Sequence, residues 1–196
     1  MVMKDNPNRV VTLVLLAWLC FAVGLASWFQ NASALAVAAT VWTLTALVLL
    51  ACWKVRTIRA CVFDIDLRWL VLLHLTRLFA GADFLVLCQR GQLPCAFATP
   101  AGWGDIGIGF LAVAVVSAMR PTQFAKTFLL SWNTLGLIDI VFVVASALRF
   151  GLQDWQSMHV LRELPLSLLP TFLVPLIIAS HVLIFVRQIR ARVGSQ

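Results

Sequence analysis

The chain has 196 residues, of which 62% are hydrophobic and 12% are charged, and its formal net charge is +7. Soluble domains usually contain about 45–50% apolar and about 25% charged residues, so the composition excludes a soluble globular protein. The basic residues lie in short clusters between apolar runs and not along one stripe, which argues against a nucleic-acid-binding surface and indicates the loops of a membrane protein.

Apolar runs long enough to cross a bilayer recur along the whole chain. A hydrocarbon core of about 30 Å needs about 20 apolar residues in helical form. We therefore predict one all-α membrane domain over residues 1–196, a bundle of six transmembrane helices. The first run is longer than the core of a signal peptide, so we expect it to remain as a span. The predicted spans cover residues 10–28, 34–53, 69–88, 101–119, 127–148 and 165–185.

Lys and Arg residues are distributed unequally between the two sides that alternate loops would face. Eleven lie on the side that holds both termini, three lie on the other side, and Arg77 lies within a span. By the positive-inside rule, we expect both termini to be cytoplasmic and the protein to be a multi-pass protein of the inner (plasma) membrane. The eleven are Lys4, Arg9, Lys54, Arg56, Arg59, Arg68, Arg120, Lys126, Arg187, Arg190 and Arg192, and the three are Arg90, Arg149 and Arg162.

Tryptophans lie at or near the ends of the predicted spans. Amphipathic indole rings prefer the headgroup region, so we interpret these residues as interface anchors. They are Trp28, Trp53, Trp69, Trp103 and Trp132.

Ionisable side chains within the predicted spans are the candidates for function, because a charge near the bilayer centre costs about 2.5–3.5 kcal/mol on insertion scales. At about 1.5 Å per residue, Arg77 and Asp139 lie near the midplane, and we predict that they pair. His74, Asn133 and His181 lie about 6–8 Å towards the cytoplasm, and Asp83 and Asp105 lie about as far towards the outside. The predicted ligand or proton path comprises Arg77, Asp139, Asp105, His74, Asn133, His181 and Asp83.

A short pattern, G-x-x-D-I, occurs in two neighbouring spans. It covers residues 102–106 in the fourth span and 136–140 in the fifth. The two spans run in opposite directions, which is compatible with an inverted pseudo-repeat and equally with chance.

The five cysteines contain no CxxC pair and no zinc-type spacing, so we predict no metal site. Cys88 and Cys95 fall on the external side, where disulfides persist, and we predict a bond between them. Cys20, Cys52 and Cys61 lie in or near the membrane or the cytoplasmic half, and we expect them to stay reduced.

Two external connections carry further expectations. Pro94 and Pro100 bound a segment that we expect to be non-helical, either a rigid turn or a lid over Asp83 and Asp105. The connection 153–164 has Trp155, Met158 and Arg162 at helical spacing, which predicts a short amphipathic helix on the outer surface.

Three classes of function remain open. The polar core is a path for protons or a small solute through a transporter or channel-like protein. Alternatively, His74 and His181 hold a b-type haem, with Arg77 near a propionate. In the third class, the protein is a non-catalytic subunit or assembly factor, in which the Arg77–Asp139 pair only fixes the order of the helices.

Enzymatic signatures are missing from the sequence. It has no Ser/His, HExxH or paired-carboxylate signature, so we do not expect an enzyme. Apart from the haem alternative we expect no cofactor. The expected partners are the lipid bilayer, a small solute or protons, and further copies of the chain or other membrane proteins, but no nucleic acid.

The segment that begins at Leu93-Pro94 and continues through Phe97-Ala98 and Pro100-Ala101-Gly102 to Gly104-Asp105 resembles an LPxxFAxPAGxGD pattern. This pattern is typical of uncharacterised six-helix bacterial membrane proteins, and the NTLGLID segment over 133–139 is similar to another part of them. The resemblance implies a bacterial inner-membrane protein and transfers no activity.

Overall fold

The computed structural model describes residues 7–193 and, within them, the side chains of residues 9–190. Of these residues, 85% are helical and none lies in a strand. Of the residues predicted to be cytoplasmic, Lys4 and the side chain of Arg192 lie outside the described part. The α-helices are α1 Pro7–Gly24, α2 Ala26–Phe29, α3 Ala34–Lys54, α4 Arg56–Asp64, α5 Leu67–Leu72, α6 Thr76–Gln89, α7 Cys95–Ala118, α8 Gln123–Gln153 and α9 Val174–Val193.

Three short segments of different helical geometry interrupt or join these helices. A 3₁₀ turn over Leu73–Leu75 links α5 to α6, and a second lies at His159–Arg162. A π-helical segment, Leu169–Leu173, leads directly into α9. Irregular turns of this kind inside long helices often accompany functional sites.

Within residues 7–193, five helices are long and apolar enough to cross a membrane, so the protein is an all-helical membrane protein. Two of them include the interrupted segments, because α5 continues through the first 3₁₀ turn into α6 and the π-helical segment continues into α9. The apolar helix Arg9–Gly24 is shorter. The five are Ala34–Lys54, Leu67–Gln89, Cys95–Ala118, Gln123–Gln153 and Leu169–Arg190.

Helix α7 begins six residues before the predicted fourth span, at Cys95. The expectation that Pro94 and Pro100 exclude regular helix between them was wrong. Pro94 is the N-cap residue, which is outside the first turn, and Pro100 lies in the second turn, where it removes a single backbone hydrogen bond. Neither a lid nor an irregular turn therefore covers this position.

The bundle has two ends with different chemistry. At one end, which we call the disulfide end, Cys88 and Cys95 form a disulfide bond beside the α6–α7 connection. The opposite end, which we call the basic end, contains α4, and Arg187 donates there to the carbonyl of Ile65 over 2.7 Å. Arg190 also stacks there on the ring of Phe63, with 4.3 Å from the guanidinium carbon to the ring centroid.

The connection after α8 closes the disulfide end of the bundle. The Trp155 indole donates to the carbonyl of Ala32 over 2.8 Å, and Arg162 donates to the carbonyl of Gln30 over 2.9 Å. Met158 is fully buried. The predicted surface amphipathic helix over 153–164 was therefore wrong, because these side chains bind the turn before α3 and the backbone follows them in turns and one 3₁₀ segment.

Helices α6 and α7 approach closely where glycines face each other. A Cβ atom placed on Gly81 would lie 2.5 Å from the carbonyl oxygen of Gly102, and one on Gly102 would lie 2.8 Å from the carbonyl oxygen of Gly81. Small residues permit this approach in membrane helices. It brings the polar side chains one turn away, Arg77 on α6 and Asp105 on α7, within reach of each other.

Candidate functional site

A single arginine lies at the centre of three helices and binds two of them. Arg77 on α6 is fully buried, and its Nε donates to Oδ1 of Asp105 on α7 over 2.6 Å. Its Nη2 donates to Oδ2 of Asp139 on α8, and its Nη1 donates to the carbonyl oxygen of Gly136 over 3.1 Å. We call Arg77, Asp105 and Asp139 the Arg77 cluster.

The Arg77 cluster lies near the middle of its helices. The midpoints of Leu67–Gln89, Cys95–Ala118 and Gln123–Gln153 fall within about two residues, or about 3 Å, of the three side chains. Asp105 was predicted to lie nearer the outside. That placement was wrong because α7 begins at Cys95, which moves the midpoint of the helix towards its start and onto Asp105.

Glycine makes room for the second carboxylate. A Cβ atom on Gly104 of α7 would collide with Oδ1 of Asp139, so a larger residue at this position would displace the carboxylate from its place between α7 and α8. On α8 itself, Asn133, Gly136 and Asp139 are three residues apart and lie on one face of the helix. This face supplies the hydrogen bonds of α8 to Arg77 and to His181.

The formal charges of the Arg77 cluster do not balance. One guanidinium faces two carboxyl groups, so the cluster carries a net charge of −1 when both are ionised. The Asp105 side chain is 4% exposed and the Asp139 side chain is 19% exposed. Asp139 is therefore the group of the cluster that is reached most easily from outside the protein.

Two histidines form a second polar group, the imidazole pair, about one helical turn from the Arg77 cluster. The ring centroids of His74 and His181 lie 4.2 Å apart, and both side chains are fully buried. His181 Nδ1 lies 2.8 Å from Asn133 Oδ1, and Asn133 Nδ2 donates to the His181 carbonyl oxygen over 3.1 Å. Since that amide oxygen can only accept, His181 carries a proton on Nδ1.

The other histidine binds a serine on α9. His74 Nε2 lies 3.0 Å from Ser180 Oγ, and Ser180 donates its only proton to the carbonyl of Ile177 over 2.7 Å. His74 Nε2 is then the donor. Nδ1 of His74 and Nε2 of His181 are buried and have no hydrogen-bond partner within the described chain. Each ring is therefore neutral in this hydrogen-bond arrangement and keeps one nitrogen lone pair that can accept a proton.

The haem alternative does not fit this geometry. The two imidazole rings contact each other, and the indole of Trp132 packs edge-on against His74 with 5.0 Å between centroids. A porphyrin plane cannot lie between rings that touch. Among the described residues, moreover, no group of three or more His, Cys, Asp and Glu side chains is arranged to hold a metal ion.

An apolar cavity adjoins the Arg77 cluster. Its volume, taken as the space open to the centre of a water-sized sphere, is about 70 Å³. Its charged lining residues are Arg77 and Asp105, and the rest of its wall is apolar, with residues such as Ala38, Ile140 and Leu173. It continues to Trp155 and Leu161 at the disulfide end.

One predicted path residue lies outside the site, and two residues of the site were not predicted. Asp83, which the predicted path includes, is exposed on α6 and forms no hydrogen bond or ion pair with the Arg77 cluster or the imidazole pair. Ser180 was not considered, since a lone serine in an apolar span gives no signal. Trp132, predicted as an interface anchor, is 1% exposed and donates to the carbonyl of Ile108 over 3.0 Å.

Residues 31–189 match a protein family described as a domain of unknown function (DUF8737). The matched region contains the Arg77 cluster, the imidazole pair, the disulfide and the residues that line the cavity. No curated protein and no solved structure matches the chain.

Proposed function

The chain belongs to the DUF8737 family, and we propose that it is a small proton-coupled transporter of the inner membrane, in which the Arg77 cluster takes up and releases one proton. One observation carries this proposal. Arg77 is fully buried between two carboxyl groups near the middle of three membrane-spanning helices. Transporter folds commonly place substrate and coupling-ion sites at this depth.

The charge of the cluster gives the reason for a proton. A net charge of −1 near the bilayer centre is unfavourable by about 2.5–3.5 kcal/mol on insertion scales. One proton on either carboxyl removes that charge, and Arg77 still donates to both groups. The cluster therefore has a neutral state that holds one proton and an anionic state that has released it, and the difference between them is the charge that a coupled transporter moves.

The imidazole pair adds a route along which a proton can travel within the bundle. His181 packs against Gly136, where a Cβ atom would lie 2.6 Å from its Cε1, and the Gly136 carbonyl oxygen accepts from Arg77. His74 and His181 each have one nitrogen without a partner in the described part of the chain. Histidines in such positions relay protons in pumps and transporters.

The proposal includes a topology. Helices α1 and α2 complete a sixth crossing before α3, so that both termini lie at the basic end, which faces the cytoplasm. The excess of Lys and Arg at that end supports this orientation. The disulfide then lies on the external side, in an oxidising compartment.

A step in pH tests the proposal on the protein reconstituted into liposomes and adsorbed on a solid-supported membrane electrode. We expect a transient current after a step from alkaline to mildly acidic buffer, because protons enter the electric field of the bilayer to reach the cluster. Asp105→Asn and Asp139→Asn should each abolish the transient, since either change leaves one carboxylate balanced by Arg77.

Asp83→Asn is the matched control because Asp83 lies on the same helix as Arg77 but is exposed. It should retain the wild-type transient. Size-exclusion profiles verify that each variant is folded. A wild-type current no larger than that of empty liposomes, or one that persists in both Asn variants, would contradict the proposal.

A non-catalytic subunit or assembly factor is the second candidate. All three guanidinium nitrogens of Arg77 donate to protein acceptors, which is also what a purely structural cluster requires. In that case the Asn variants and the wild type give the same response to the pH step.

A further inference from the structure

Asp105 lines the apolar cavity, and one of its carboxylate oxygens is not bound by Arg77. Asp105 is buried and binds Arg77 through Oδ1. Among the side chains of residues 9–190 and the described backbone, no group donates a hydrogen bond to Oδ2 of Asp105, whereas Arg77 already donates from all three of its nitrogens. The polar end of the cavity therefore has an unused acceptor.

The shape and charge of the cavity select a class of ligand. A site lined by apolar side chains with a few convergent polar groups is typical of small-molecule binding. A volume of about 70 Å³ exceeds the about 10–15 Å³ that one water requires on the same measure, so the cavity admits an alkyl chain of several carbons. Once the cluster has released its proton, an anionic head group would add a second negative charge to it, and a neutral one would leave its charge of −1 in place.

We infer that the cavity binds a lipophilic monovalent ammonium ion, with the alkyl chain along the apolar wall and the ammonium group donating to Asp105. The inference rests on the proposed function for its exchange step. One ammonium ion enters as one proton leaves the cluster, so the charge of the site is the same before and after the exchange. The protein would then exchange lipophilic cations for protons.

The charged and titratable groups around this position belong to five elements. Arg77, Asp105 and Asp139 come from α6, α7 and α8, His74 comes from the 3₁₀ turn after α5, and His181 comes from α9. The cavity-lining residues of α3 and of the π-helical segment are apolar. Because the cation and the proton compete for one negative charge, cation binding should strengthen as the pH rises and the cluster loses its proton.

Binding of n-octylammonium tests the inference, with purified full-length protein in nanodiscs and titration calorimetry in buffers of different ionisation enthalpy. We expect saturable binding with release of up to one proton per cation. Octanol and octanoate, which have the same chain length, should not compete. Asp105→Asn should abolish saturable binding, whereas Asp83→Asn should leave it unchanged.

Two neighbouring alanines on α3 provide a matched pair for the cavity. Ala38 lines the cavity and Ala39 is exposed. Ala38→Trp should weaken octylammonium binding at least tenfold, and Ala39→Trp should leave it unchanged. Ala147→Leu, a smaller change at another lining position, replaces Ala38→Trp if that variant does not fold.

The outcomes separate this inference from the proposed function. If the pH-step current is present but octylammonium does not bind saturably, the inferred ligand is wrong and the proposed proton site stands. If octylammonium binds but the current is absent, the ligand site stands and the proposed proton-coupled transport is wrong. Equal competition by octanol or octanoate, or undiminished binding in Asp105→Asn, overturns the inference that a cation is selected.

Discussion

Arg77 shows how one side chain organises three helices. Its guanidinium group presents donors in a fixed planar fork, and the acceptors lie on two different helices, α7 and α8. A lysine has a single nitrogen and cannot reproduce these directions. The arrangement is therefore specific to arginine, and its energetic balance depends on both carboxyl groups.

Removal of Arg77 should destabilise the protein strongly. Arg77→Ala leaves Asp105 and Asp139 buried without their counter-ion, and the loss of one partner of a buried ion pair usually costs about 3–5 kcal/mol. We expect a corresponding fall in thermal stability in detergent. The triple variant Arg77→Ala, Asp105→Asn, Asp139→Asn should recover most of it, and more than Arg77→Ala with Asp139→Ala alone, because that double variant still strands Asp105.

Arg90→Ala serves as the control, since Arg90 is exposed at the disulfide end. It should unfold at the wild-type temperature. Equal stability of Arg77→Ala and Arg90→Ala would show that the cluster contributes nothing to the fold.

At the scale of residues, the sequence allowed one contact of the site to be predicted and not the others. The depth of Arg77 and Asp139 in their spans predicted a pair, and the structure contains that contact. The contact with Asp105 was not predicted because it depends on where α7 begins. The partners of the imidazoles, Ser180 and Asn133, depend on which faces of α8 and α9 meet, and hydropathy carries no such information.

Among the helices, α7 shows that glycines of one element can have different structural roles. Gly102 lies against Gly81 of α6, Gly104 lies against Asp139 of α8, and Gly107 has no atom within 4 Å of where its Cβ would be. The two G-x-x-D-I segments therefore bring their aspartates to the same arginine from two helices. Whether they are related by a repeat does not alter this geometry.

The contrast between Gly104 and Gly107 gives a prediction. Gly104→Ala should displace the Asp139 carboxylate from Arg77 and lower the stability by about 1–3 kcal/mol, as crowding of a packed site does. Gly107 is exposed, so Gly107→Ala should be neutral or should stabilise the protein by up to about 1 kcal/mol, because alanine has the higher helix propensity. Thermal unfolding of both variants measures the difference, and equal stabilities would exclude the proposed role of Gly104.

The ends of the elements were harder to predict than their existence. The predicted span 34–53 corresponds closely to α3, where the Ser33 side chain accepts from the Ala36 amide and marks the start. α8, however, has 31 residues and extends beyond the predicted span 127–148 at both ends. The residues of α8 beyond the predicted span include Gln123 and Lys126 at the start and Arg149 and Gln153 at the end, and these interrupt the apolar run that marked the span.

At the scale of the whole molecule, the two ends of the bundle differ in charge and covalent structure, and the proposed orientation follows from that difference. Reporter fusions after Gln30, Gln92 and Gln156 should report the external side, and fusions after Arg59 and Pro121 should report the cytoplasm. An external report after Arg59 or Pro121 would reverse the orientation. If only the fusion after Gln30 reports the opposite side, α1 and α2 do not form a sixth crossing.

The class of the protein, an all-helical membrane protein, follows from composition and apolar run length alone. The convergence of α6, α7 and α8 on one charged cluster does not, because it depends on the rotation of each helix about its axis. The cavity does not follow from the sequence either, because α3 and the π-helical segment, which are distant in the sequence, form its wall together.

The central claim is that the Arg77 cluster holds one proton in its neutral state, and infrared spectroscopy measures this directly. The carbonyl stretch of a protonated carboxylic acid is distinct from the bands of a carboxylate, and it shifts in deuterated buffer. We expect such a band in the wild type and in Asp83→Asn, and its loss in both Asp105→Asn and Asp139→Asn. A wild-type protein without that band at mildly acidic pH, or a band that survives in both Asn variants, would contradict the account.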